Sequence, residues 1–454
     1  MKNKITTIIL LLFLVMGTSC NKWVDIPVPE TQIQAQRIFL DERSAEAALT
    51  GLYVQLTATT LSITNGGLTT YTGLSADELF NTSPAADLDP FYVNSIPATN
   101  GTGINTRLWS AAYRYVYHCN SLIEQVQASA LPASFKIRAV AEAKLVRSLL
   151  YSYLIQLFGD VPLALTTDYA VNAVLPRTAY NTVLNQIIND AQEAYNNLPS
   201  AQTSTLKAKP VKATAAALLA RYYLLAGNNS LAETMATEVV ESGSYNLVTN
   251  LNNVFLNTSA ETIWQLPKDQ GNTTEGSTLV PASTSVRPVY AIVPSLLNAF
   301  ENNDLRKSAW LKANIISGQS FSYPHKYKAR LATPVTEAYV VVRLAEVILI
   351  RAEARAKQDK LTLALVDLNR IRNRAGLSSI SSLTKPQLLL AIEQERRVEL
   401  FAEWGHRWFD LKRNNRINEV LAVEKPNWQP YAALYPIPQN ELLRNIFLTQ
   451  NPGY

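Results

Sequence analysis

Apolar residues recur at helical spacing, at positions i, i+3, i+4 and i+7, along most of the chain. This periodicity predicts helices over residues 42–56, 105–128, 134–158, 180–197, 211–226, 230–242, 338–357, 361–373 and 386–404. Thr384 and Gln387 have the spacing of a capping box, which indicates the start of the last of these helices. Gly227 and Gly376 follow helical runs, where a left-handed cap requires glycine. The pattern therefore predicts a mostly α-helical protein.

Two of the predicted helix pairs carry small and packing residues at the offsets of a tetratricopeptide repeat. These residues are Ala220, Tyr223, Gly227, Ala232, Ala236 and Val239 in the first pair and Ala352, Ala364, Leu368 and Ile371 in the second. Small residues allow paired helices to approach closely, and each pair needs a neighbour to bury its other face. The pairs are far apart in the sequence, so we predict a tetratricopeptide-like scaffold with large insertions. Its helices are expected at about residues 42–56, 105–242 and 338–373.

The helical pattern is interrupted over residues 57–104 and 267–337, where Thr, Ser, Asn, Gly and Pro are frequent. Strand-like alternation is limited to short stretches such as Thr262–Leu266 and Tyr339–Val342, and the second is ambiguous with a helix start. Irregular segments of this length in a compact protein are usually functional. We therefore predict that residues 57–104 and 267–337 form a second, loop-rich subdomain that holds the ligand.

The N-terminus contains the only long apolar run of the chain. It consists of Lys2 and Lys4, the run Ile5 to Met16, and then Gly17-Thr18-Ser19-Cys20. A basic start, about a dozen apolar residues and small residues before a cut site are typical of a secretory signal. The run is too short for a stable transmembrane anchor. Small residues before a lone cysteine also resemble a bacterial lipobox, so we expect residues 1–19 to be removed and Cys20 to be lipidated. An ordinary signal peptide with a coincidental cysteine is the alternative.

Composition narrows the class of protein further. The 454 residues are 47% hydrophobic, which is enough for a sizeable core, and the mean hydropathy near zero argues against a multispanning membrane protein. Cys119 is the only other cysteine, so a lipidated Cys20 would leave no intramolecular disulfide. Removal of residues 1–19 leaves a net charge of about +3, which is too small and too dispersed to indicate a nucleic-acid partner.

The run from Glu393 to Arg413 combines ten charged residues with large aromatic ones. Helical spacing places four residues on one buried stripe: Phe401, Trp404, Trp408 and Leu411. The charges have ion-pair spacings within the run, at Glu393 with Arg397, Arg396 with Glu399, and Glu403 with Arg407. So dense a mixture suggests charges that are packed between elements rather than a solvated face.

This run closely resembles the C-terminal signature of the SusD/RagB family. Other family motifs are matched in the expected order by Val146–Leu163, Lys212–Leu225, Ser242–Leu247, Arg343–Glu353, Leu368–Leu377, Tyr435–Pro438 and Gln450–Tyr454. Single motifs of this kind carry little weight, but an ordered series behind a lipobox makes chance implausible. The resemblance covers nearly the whole mature chain, as one domain over residues 20–454 with the signature region at 386–454.

The resemblance implies a mostly helical lipoprotein at the outer surface of a gram-negative outer membrane. Proteins of this family bind a nutrient, usually a glycan, and cover a TonB-dependent β-barrel transporter of the SusC type. They are not enzymes. The tetratricopeptide-like face is expected to contact the transporter, and the inserted segments are expected to hold the ligand.

A glycan site needs flat aromatic rings for the apolar faces of sugars and polar side chains for the hydroxyl groups. From the two irregular segments we select as candidate ligand contacts Tyr71, Asp77, Phe80, Asn81, Tyr92, Asn94, Arg287, Tyr290 and Tyr323. Core packing beneath the segments is the alternative for each of them. Trp109 and Trp264 lie in regular helical and strand-like patterns, so we expect both to be structural.

Catalysis and metal binding are weaker interpretations. Glu399 and Glu403 could be the paired carboxylates of a glycosidase, but they lie one helical turn apart among arginines, as in a structural ion-pair network. Asp77 and Glu78 are adjacent, and an extended chain points them apart. The three histidines match no HExxH or CxxC spacing, so no catalytic metal is expected. Calcium at Asp77, Asp87 and Asp89 is the one ion considered, because hard cations bind clustered oxygens.

Three functional hypotheses remain open from the sequence. The leading one is a surface glycan-binding lipoprotein that serves a transporter, or a peptide-binding member of the same family. The second is a tetratricopeptide adaptor whose only ligand is another protein, and the third is a glycoside hydrolase. The sequence does not name the sugar.

Overall fold

A computed structural model describes residues 38–202 and 204–454. The α-helices, in chain order, are α1 Glu42–Ala58, α2 Gly67–Ser75, α3 Asp89–Tyr92, α4 Ala111–Ala128, α5 Ala133–Phe158, α6 Tyr169–Asn172, α7 Tyr180–Asn197, α8 Lys212–Leu225, α9 Asn229–Glu241, α10 Thr274–Leu279, α11 Pro294–Ala299, α12 Leu305–Trp310, α13 Leu344–Lys357, α14 Leu361–Arg374, α15 Lys385–Glu399, α16 His406–Arg413, α17 Ile417–Glu424 and α18 Gln439–Arg444. The strands are β1 Leu79–Asn81, β2 Thr262–Leu266, β3 Tyr290–Ile292, β4 Leu311–Ile316, β5 Gln319–Pro324 and β6 Tyr339–Arg343.

The strands form three two-stranded antiparallel pairs in the described part of the chain: β1 with β3, β2 with β6, and β4 with β5. The longer helices pack side by side, α4 with α5, α5 with α7, α8 with α9, and α13 with α14. The fold is therefore mostly α-helical, as predicted.

The two predicted helix pairs are α8 with α9 and α13 with α14, and their small residues are buried at the contacts. Ala220, Ala232 and Ala364 have no exposed surface. Their side chains are single methyl groups, so the paired helices can approach closely. Ion pairs join neighbouring helices at their edges: Arg221 of α8 bonds Glu346 of α13 at 2.7 and 2.8 Å. The tetratricopeptide-like scaffold of helix pairs is confirmed.

Six of the nine predicted helices agree with the observed ones to within two residues, and three segments differ. The segment predicted as helix 105–128 begins instead with a π-helix, Gly101–Ser110, that leads into α4. The segment 338–357 starts as the strand β6, whose Arg343 pairs with Thr262 of β2, before α13 begins. Here strand pairing with a distant partner overrides the local helical pattern.

The predicted signals for the ends of helices are confirmed. Thr384 and Gln387 form the capping box of α15. Gly227 and Gly376 both have positive φ, at 74° and 79°, and end α8 and α14 as left-handed caps. These signals depend only on neighbouring residues, which explains their success.

The predicted helix over residues 386–404 and its single aromatic stripe were wrong, because α15 ends at Glu399 and α16 starts at His406. Ala402, Trp404 and Gly405 have positive φ values of 51°, 48° and 75°, so the chain turns sharply between the helices. A Cβ atom at Gly405 would collide with the Thr72 hydroxyl of α2, which explains the glycine there. The stripe residues are nevertheless all buried, Phe401 and Trp404 in the turn and Trp408 and Leu411 on α16.

Trp404 fastens this turn to the core. Its indole ring is stacked between the rings of Tyr339, at 4.3 Å, and Tyr153, at 5.5 Å, with interplanar angles of 12° and 13°. Its Nε1 donates a hydrogen bond of 2.6 Å to the backbone carbonyl of Val340. One side chain therefore joins the signature run to β6 and α5.

The charges of the signature run belong to a buried charge cluster. The cluster consists of Arg306, Lys326, Arg343 and Arg374 with Glu261, Asp304, Glu395, Glu399 and Glu403. Arg343, which is 1% exposed, bonds three carboxylates from two separate segments: Glu261 at 2.7 Å, before β2, and Glu399 at 2.6 Å and Glu403 at 2.8 Å, in the signature run. The cluster thereby ties the β2–β6 pair to α12, α14 and α15.

The ion pairs predicted within the signature run were wrong in their partners. None of the described ion pairs joins Glu393 with Arg397, Arg396 with Glu399, or Glu403 with Arg407. The charges instead pair with residues further away in the sequence. Arg396 of α15, for example, bonds Asp410 of α16 at 2.7 Å. Their burial between elements, which the density of charge suggested, is confirmed.

The lipidation site Cys20 and the predicted signal peptide lie outside the described residues. Among residues 38–202 and 204–454, no helix is long and apolar enough to cross a membrane. Cys119 is a free thiol on α4 with no exposed surface. Burial raises the pKa of this thiol to about 12.

The cluster generates a stability prediction for Glu399→Gln. Burial disfavours the ionised Glu399, but its arginine neighbours outweigh that effect and lower its pKa far below the usual range. The amide would remove a charge that Arg306, Arg343 and Arg374 all contact. We expect the free energy of unfolding to fall by about 3–5 kcal/mol, measured by urea denaturation at pH 7.

Glu419→Gln is the matched control. Glu419 forms an ion pair of 3.3 Å with Arg416, but its side chain is 67% exposed. Water screens such a pair, so this variant should lose no more than about 1 kcal/mol. Equal losses in the two variants would show that the buried cluster does not contribute as described.

Candidate functional site

The two irregular segments meet in the structure. Strand β1, from the first segment, pairs with β3, from the second, with Phe80 opposite Ala291 and Asn81 opposite Tyr290. The β4–β5 hairpin packs against β3 and extends this contact. Residues more than 200 positions apart in the sequence therefore line one surface.

A cleft of about 370 Å³ opens where these segments meet. Its walls include residues of β1, α3, β3, β5 and the end of α17. They are Asp77, Phe80, Tyr92, Ile292, Val293, Pro294, Leu297, Gln319, Ser320, Phe321, Ser322, Glu424 and Lys425. The lining therefore combines three aromatic rings with aliphatic, hydroxyl, amide and charged side chains, a mixture that suits an amphipathic ring ligand.

The aromatic side chains of the cleft come from both segments. The rings of Phe80 and Tyr92 have centroids 6.5 Å apart and are tilted by 52°. Tyr92 is 36% exposed, whereas Phe321 of β5 is 5% exposed and lies under the guanidinium of Arg287, at 5.0 Å. Tyr92 and Phe80 are therefore the rings with free surface for a ligand.

Lys425 lies beside Tyr92. Its Nζ is 3.9 Å from the centroid of the Tyr92 ring and donates hydrogen bonds of 3.0 Å to the backbone carbonyls of Leu74 and Tyr92. Burial lowers the pKa of this ammonium to about 8, against the opposing attraction of Asp77 and Glu424.

Asp77 connects the cleft to the signature run. Its carboxylate accepts two hydrogen bonds from Arg407, at 2.8 and 2.9 Å, and lies 2.7 Å from Arg397. Burial opposes its ionisation, but the two arginines outweigh that effect and lower the pKa of Asp77. Glu78 is buried beside this charge, and burial together with Asp77 raises its pKa to about 8. Asp77 is thus held as an anion in the wall of the cleft.

The structure brings three of the predicted ligand residues to the cleft: Asp77, Phe80 and Tyr92. Asn81 is half-buried at its edge and donates a hydrogen bond of 2.5 Å to Asp89. Arg287 is exposed over Phe321. Contact of these residues with a ligand stays a prediction.

The other four predicted contacts are buried: Tyr71 is 2% exposed, Asn94 3%, Tyr290 4% and Tyr323 5%. Tyr71 packs against Phe91 with ring centroids 4.6 Å apart, and Asn94 donates to the Ser75 carbonyl. These side chains support the cleft from beneath. The expectation that Trp109 and Trp264 pack in the core is confirmed, because both are at least 97% buried.

Several cleft residues were missed by the sequence reasoning: Gln319, Ser320, Phe321, Ser322, Glu424 and Lys425. The hairpin had a local signal, since Ser317 and Gly318 occupy its turn with positive φ values of 51° and 81°. Glu424 and Lys425 had none, because only tertiary packing brings the end of α17 to the first segment.

The calcium hypothesis receives no support from the geometry. No group of three or more His, Cys, Asp or Glu side chains is placed to hold a metal ion in the described part of the chain. Asp77 is bonded to Arg407, and Asp89 accepts from Asn81 and from the backbone of Ala85.

The carboxylates considered for catalysis are also occupied. Glu399 and Glu403 both accept hydrogen bonds from Arg343 in the buried charge cluster, and neither lines the cleft. Glu78 is fully buried behind Asp77. The carboxylates that do line the cleft are Asp77 and Glu424, and Asp77 is held in ion pairs by Arg407 and Arg397.

A larger groove of about 680 Å³ lies on another part of the surface, between α4, α6 and α18. Its walls include Trp109, Tyr113, Tyr117 and Tyr169. It contains none of the predicted ligand residues and no part of the inserted segments 57–104 and 267–337. The smaller cleft is therefore the candidate site.

Comparison with known proteins agrees with this architecture. A family described as "Starch-binding associating with outer membrane" matches residues 42–224, and the SusD family matches residues 323–454. The chain is similar to SusD-like protein P2 of Formosa agariphila, with 29% identity over the full length of both chains. A SusD-like protein of Bacteroides ovatus is 27% identical over 67% of this chain and 64% of its own.

Solved structures share the fold. A SusD superfamily protein from Bacteroides vulgatus superposes with a TM-score of 0.81 at 20% identity, over 92% of this chain and all of that one. A laminarin-binding SusD-like protein superposes with a TM-score of 0.80 at 24% identity, over the same shares. With the ordered motifs, the helix-pair scaffold and these matches together, the chain belongs to the SusD/RagB family.

Proposed function

We propose that this protein is a cell-surface glycan-binding lipoprotein without catalytic activity. It captures an oligosaccharide or polysaccharide and delivers it to a SusC-like TonB-dependent transporter of the outer membrane. The observation that carries the proposal is the aromatic cleft formed where the two inserted segments meet.

The chemistry of the cleft suits a sugar. Flat rings such as those of Phe80 and Tyr92 can stack on the apolar C–H faces of a pyranose. Gln319, Ser320 and Ser322 add amide and hydroxyl groups that can bond the hydroxyls at the ring edge. Binding of this kind needs no reactive group. Two carboxylates line the cleft, Asp77 and Glu424, and Asp77 is held in ion pairs by Arg407 and Arg397 rather than left free for hydrolysis.

Relatives support the choice of ligand. A protein of the same fold, 24% identical, binds laminarin, and one matched family is described as starch-binding. These properties belong to those proteins. For this chain they favour a glycan over a peptide, and they leave the identity of the sugar to experiment.

The lipid anchor and the transporter complete the proposal. Lipidation at Cys20 would hold the protein on the outer membrane through acyl chains, without a spanning helix. The family described as associating with the outer membrane agrees with this location. We propose that the tetratricopeptide-like helices contact the transporter, which leaves the inserted segments free for the glycan.

The ligand class can be tested with a panel of polysaccharides. Purified protein should be retarded in affinity electrophoresis by at least one of laminarin, starch, fructan and mannan, and calorimetry should then give the affinity. No reducing ends should be released during the incubation. Binding to none of a broad glycan panel, together with clear binding to a peptide, would contradict the glycan assignment.

The site can be tested by Phe80→Ala and Tyr92→Ala. Each removes a ring with free surface in the cleft, so the affinity for the bound glycan should fall roughly tenfold or more. Tyr169→Ala is the control, because Tyr169 is 83% exposed and lies in the larger groove. Loss of binding in Tyr169→Ala, but not in the cleft variants, would move the site to that groove.

The anchor can be tested by Cys20→Ala in cells. This variant should leave the membrane fraction, because the thiol that would carry the lipid is absent. Cys119→Ala is the matched control and should stay with the membrane, since Cys119 is buried in the fold. A Cys20→Ala protein that still incorporates labelled fatty acid would rule out this lipidation site.

A further inference from the structure

Lys425 is the cation in the wall of the cleft, and its surroundings are unusual for a lysine. It is 5% exposed, and no carboxylate of the described residues lies within ion-pair distance of its Nζ. Its Nζ instead contacts the backbone carbonyls of Leu74 and Tyr92 and the face of the Tyr92 ring.

These contacts account for the whole donor capacity of the ammonium. A lysine side chain has three N–H donors. Two are directed to the carbonyls at 3.0 Å, and the third remains for the aromatic face at 3.9 Å, where a cation is attracted by the ring quadrupole. The Lys425 ammonium therefore has no donor left for an anionic ligand.

The two carbonyls belong to the ends of two helices. Leu74 lies in the last turn of α2, and Tyr92 is the last residue of α3. The final carbonyls of a helix have no partner within the helix and carry partial negative charge, so a cation is favourable there. Lys425 therefore joins the end of α2 to the end of α3 and fixes the position of the Tyr92 backbone.

The same contact limits how Tyr92 can meet a ligand. The ammonium occupies one face of the ring, so a sugar can use only the other face or the edge. Phe80, with its centroid 6.5 Å away, stands beside the ring at a tilt of 52°. A ring that is held on one side is a better platform than a mobile one, because less side-chain freedom is lost on binding.

We propose that Lys425 is a positioning residue that holds Tyr92 as a one-sided stacking platform, and that the cleft consequently selects uncharged sugars rather than uronate-bearing ones. This inference rests on the proposed glycan-binding function and assigns the ligand class of the same site. The remaining charges agree with it. Asp77 is neutralised by Arg407 and Arg397, and Glu424 adds a carboxylate to the lining that repels an anionic ligand. The exposed Arg287 guanidinium lies over Phe321 and is not part of the cleft lining.

The positioning role predicts a characteristic dependence on pH. Asp77 and Glu424 are the charged groups that favour the ammonium form of Lys425, and burial opposes that form and lowers its pKa to about 8. As the pH rises from 7 to 9, Lys425 loses its proton and the attraction to the ring is lost. The affinity for a neutral glycan should therefore fall over this interval in the wild type. Glu78, buried behind Asp77, also has a pKa of about 8 and titrates over the same interval. Lys425→Arg is therefore the reference variant: its affinity should fall less than that of the wild type, because a guanidinium keeps its charge and can also stack on the ring.

The decisive experiment is a double-mutant cycle of Lys425→Met and Tyr92→Ala. The probes are the neutral polysaccharide that binds best in the panel and an alginate oligosaccharide as the uronate-bearing ligand. Lys425→Met should weaken binding of the neutral glycan about fivefold or more, and the double variant should be no weaker than Tyr92→Ala alone, because both changes remove the same platform. Alginate should bind poorly to every variant.

Two results would overturn the inference. Fully additive losses in the cycle would show that Lys425 acts independently of Tyr92. Tight alginate binding that Lys425→Met abolishes would show that Lys425 contacts an anionic ligand directly. Urea denaturation of each variant confirms that the comparison is between folded proteins, and the pH profile of the wild type tests the same role if Lys425→Met does not fold.

Hydrogen exchange separates this inference from the proposed function. In protein without glycan, Lys425→Met should raise the exchange of backbone amides over residues 89–95, since Tyr92 is no longer held. Unchanged exchange there would contradict the positioning role. Failure of the proposed function has a different signature, because the wild type would then bind no glycan while the exchange difference persists.

Discussion

The complete pairing of charges around Arg343 is the interaction on which the rest of this structure depends. A charge can be buried only if its partners surround it, because an unpaired one would cost several kcal/mol. Glu261, which precedes β2, and Glu399 and Glu403, which lie in the signature run, meet this requirement from two separate segments. Arg343 of β6 therefore joins the signature run to the β2–β6 pair. Several charges of the signature run pair with residues far away in the chain, as Glu399 does with Arg343 and Arg397 with Asp77.

The same run also shapes the ligand cleft. Arg397 and Arg407 reach away from the buried cluster to hold Asp77 in the wall of the cleft. The turn between α15 and α16 packs against α2, where the absence of a side chain at Gly405 makes room for Thr72. The first inserted segment is thus fastened to the scaffold at its helical end, while β1 joins it to the second segment. The scaffold and the ligand cleft are therefore in direct contact, although hundreds of residues separate them in the sequence.

Local physics explains what the sequence could predict. Periodicity located the long helices, and glycine and capping signals located their ends, because both depend on neighbouring residues. The break in the signature run could not be foreseen, since Trp404, which has positive φ, packs against Tyr153 and Tyr339 from distant parts of the chain. In the site, Phe80 and Tyr92 were found as aromatics of an irregular segment. Lys425 was not, because its role arises from carbonyls that lie more than 300 residues away in the chain.

The buried thiol of Cys119 makes this protein convenient for spectroscopy. It has no exposed surface, and its raised pKa keeps it in the unreactive protonated form at neutral pH. With Cys20 absent or acylated, the mature chain offers no accessible sulfhydryl to maleimide reagents. A single cysteine introduced on the β4–β5 hairpin would therefore accept one fluorophore or spin label without a background reaction. Distances from such a label could report how the inserted segments move when a ligand arrives, in an otherwise native protein.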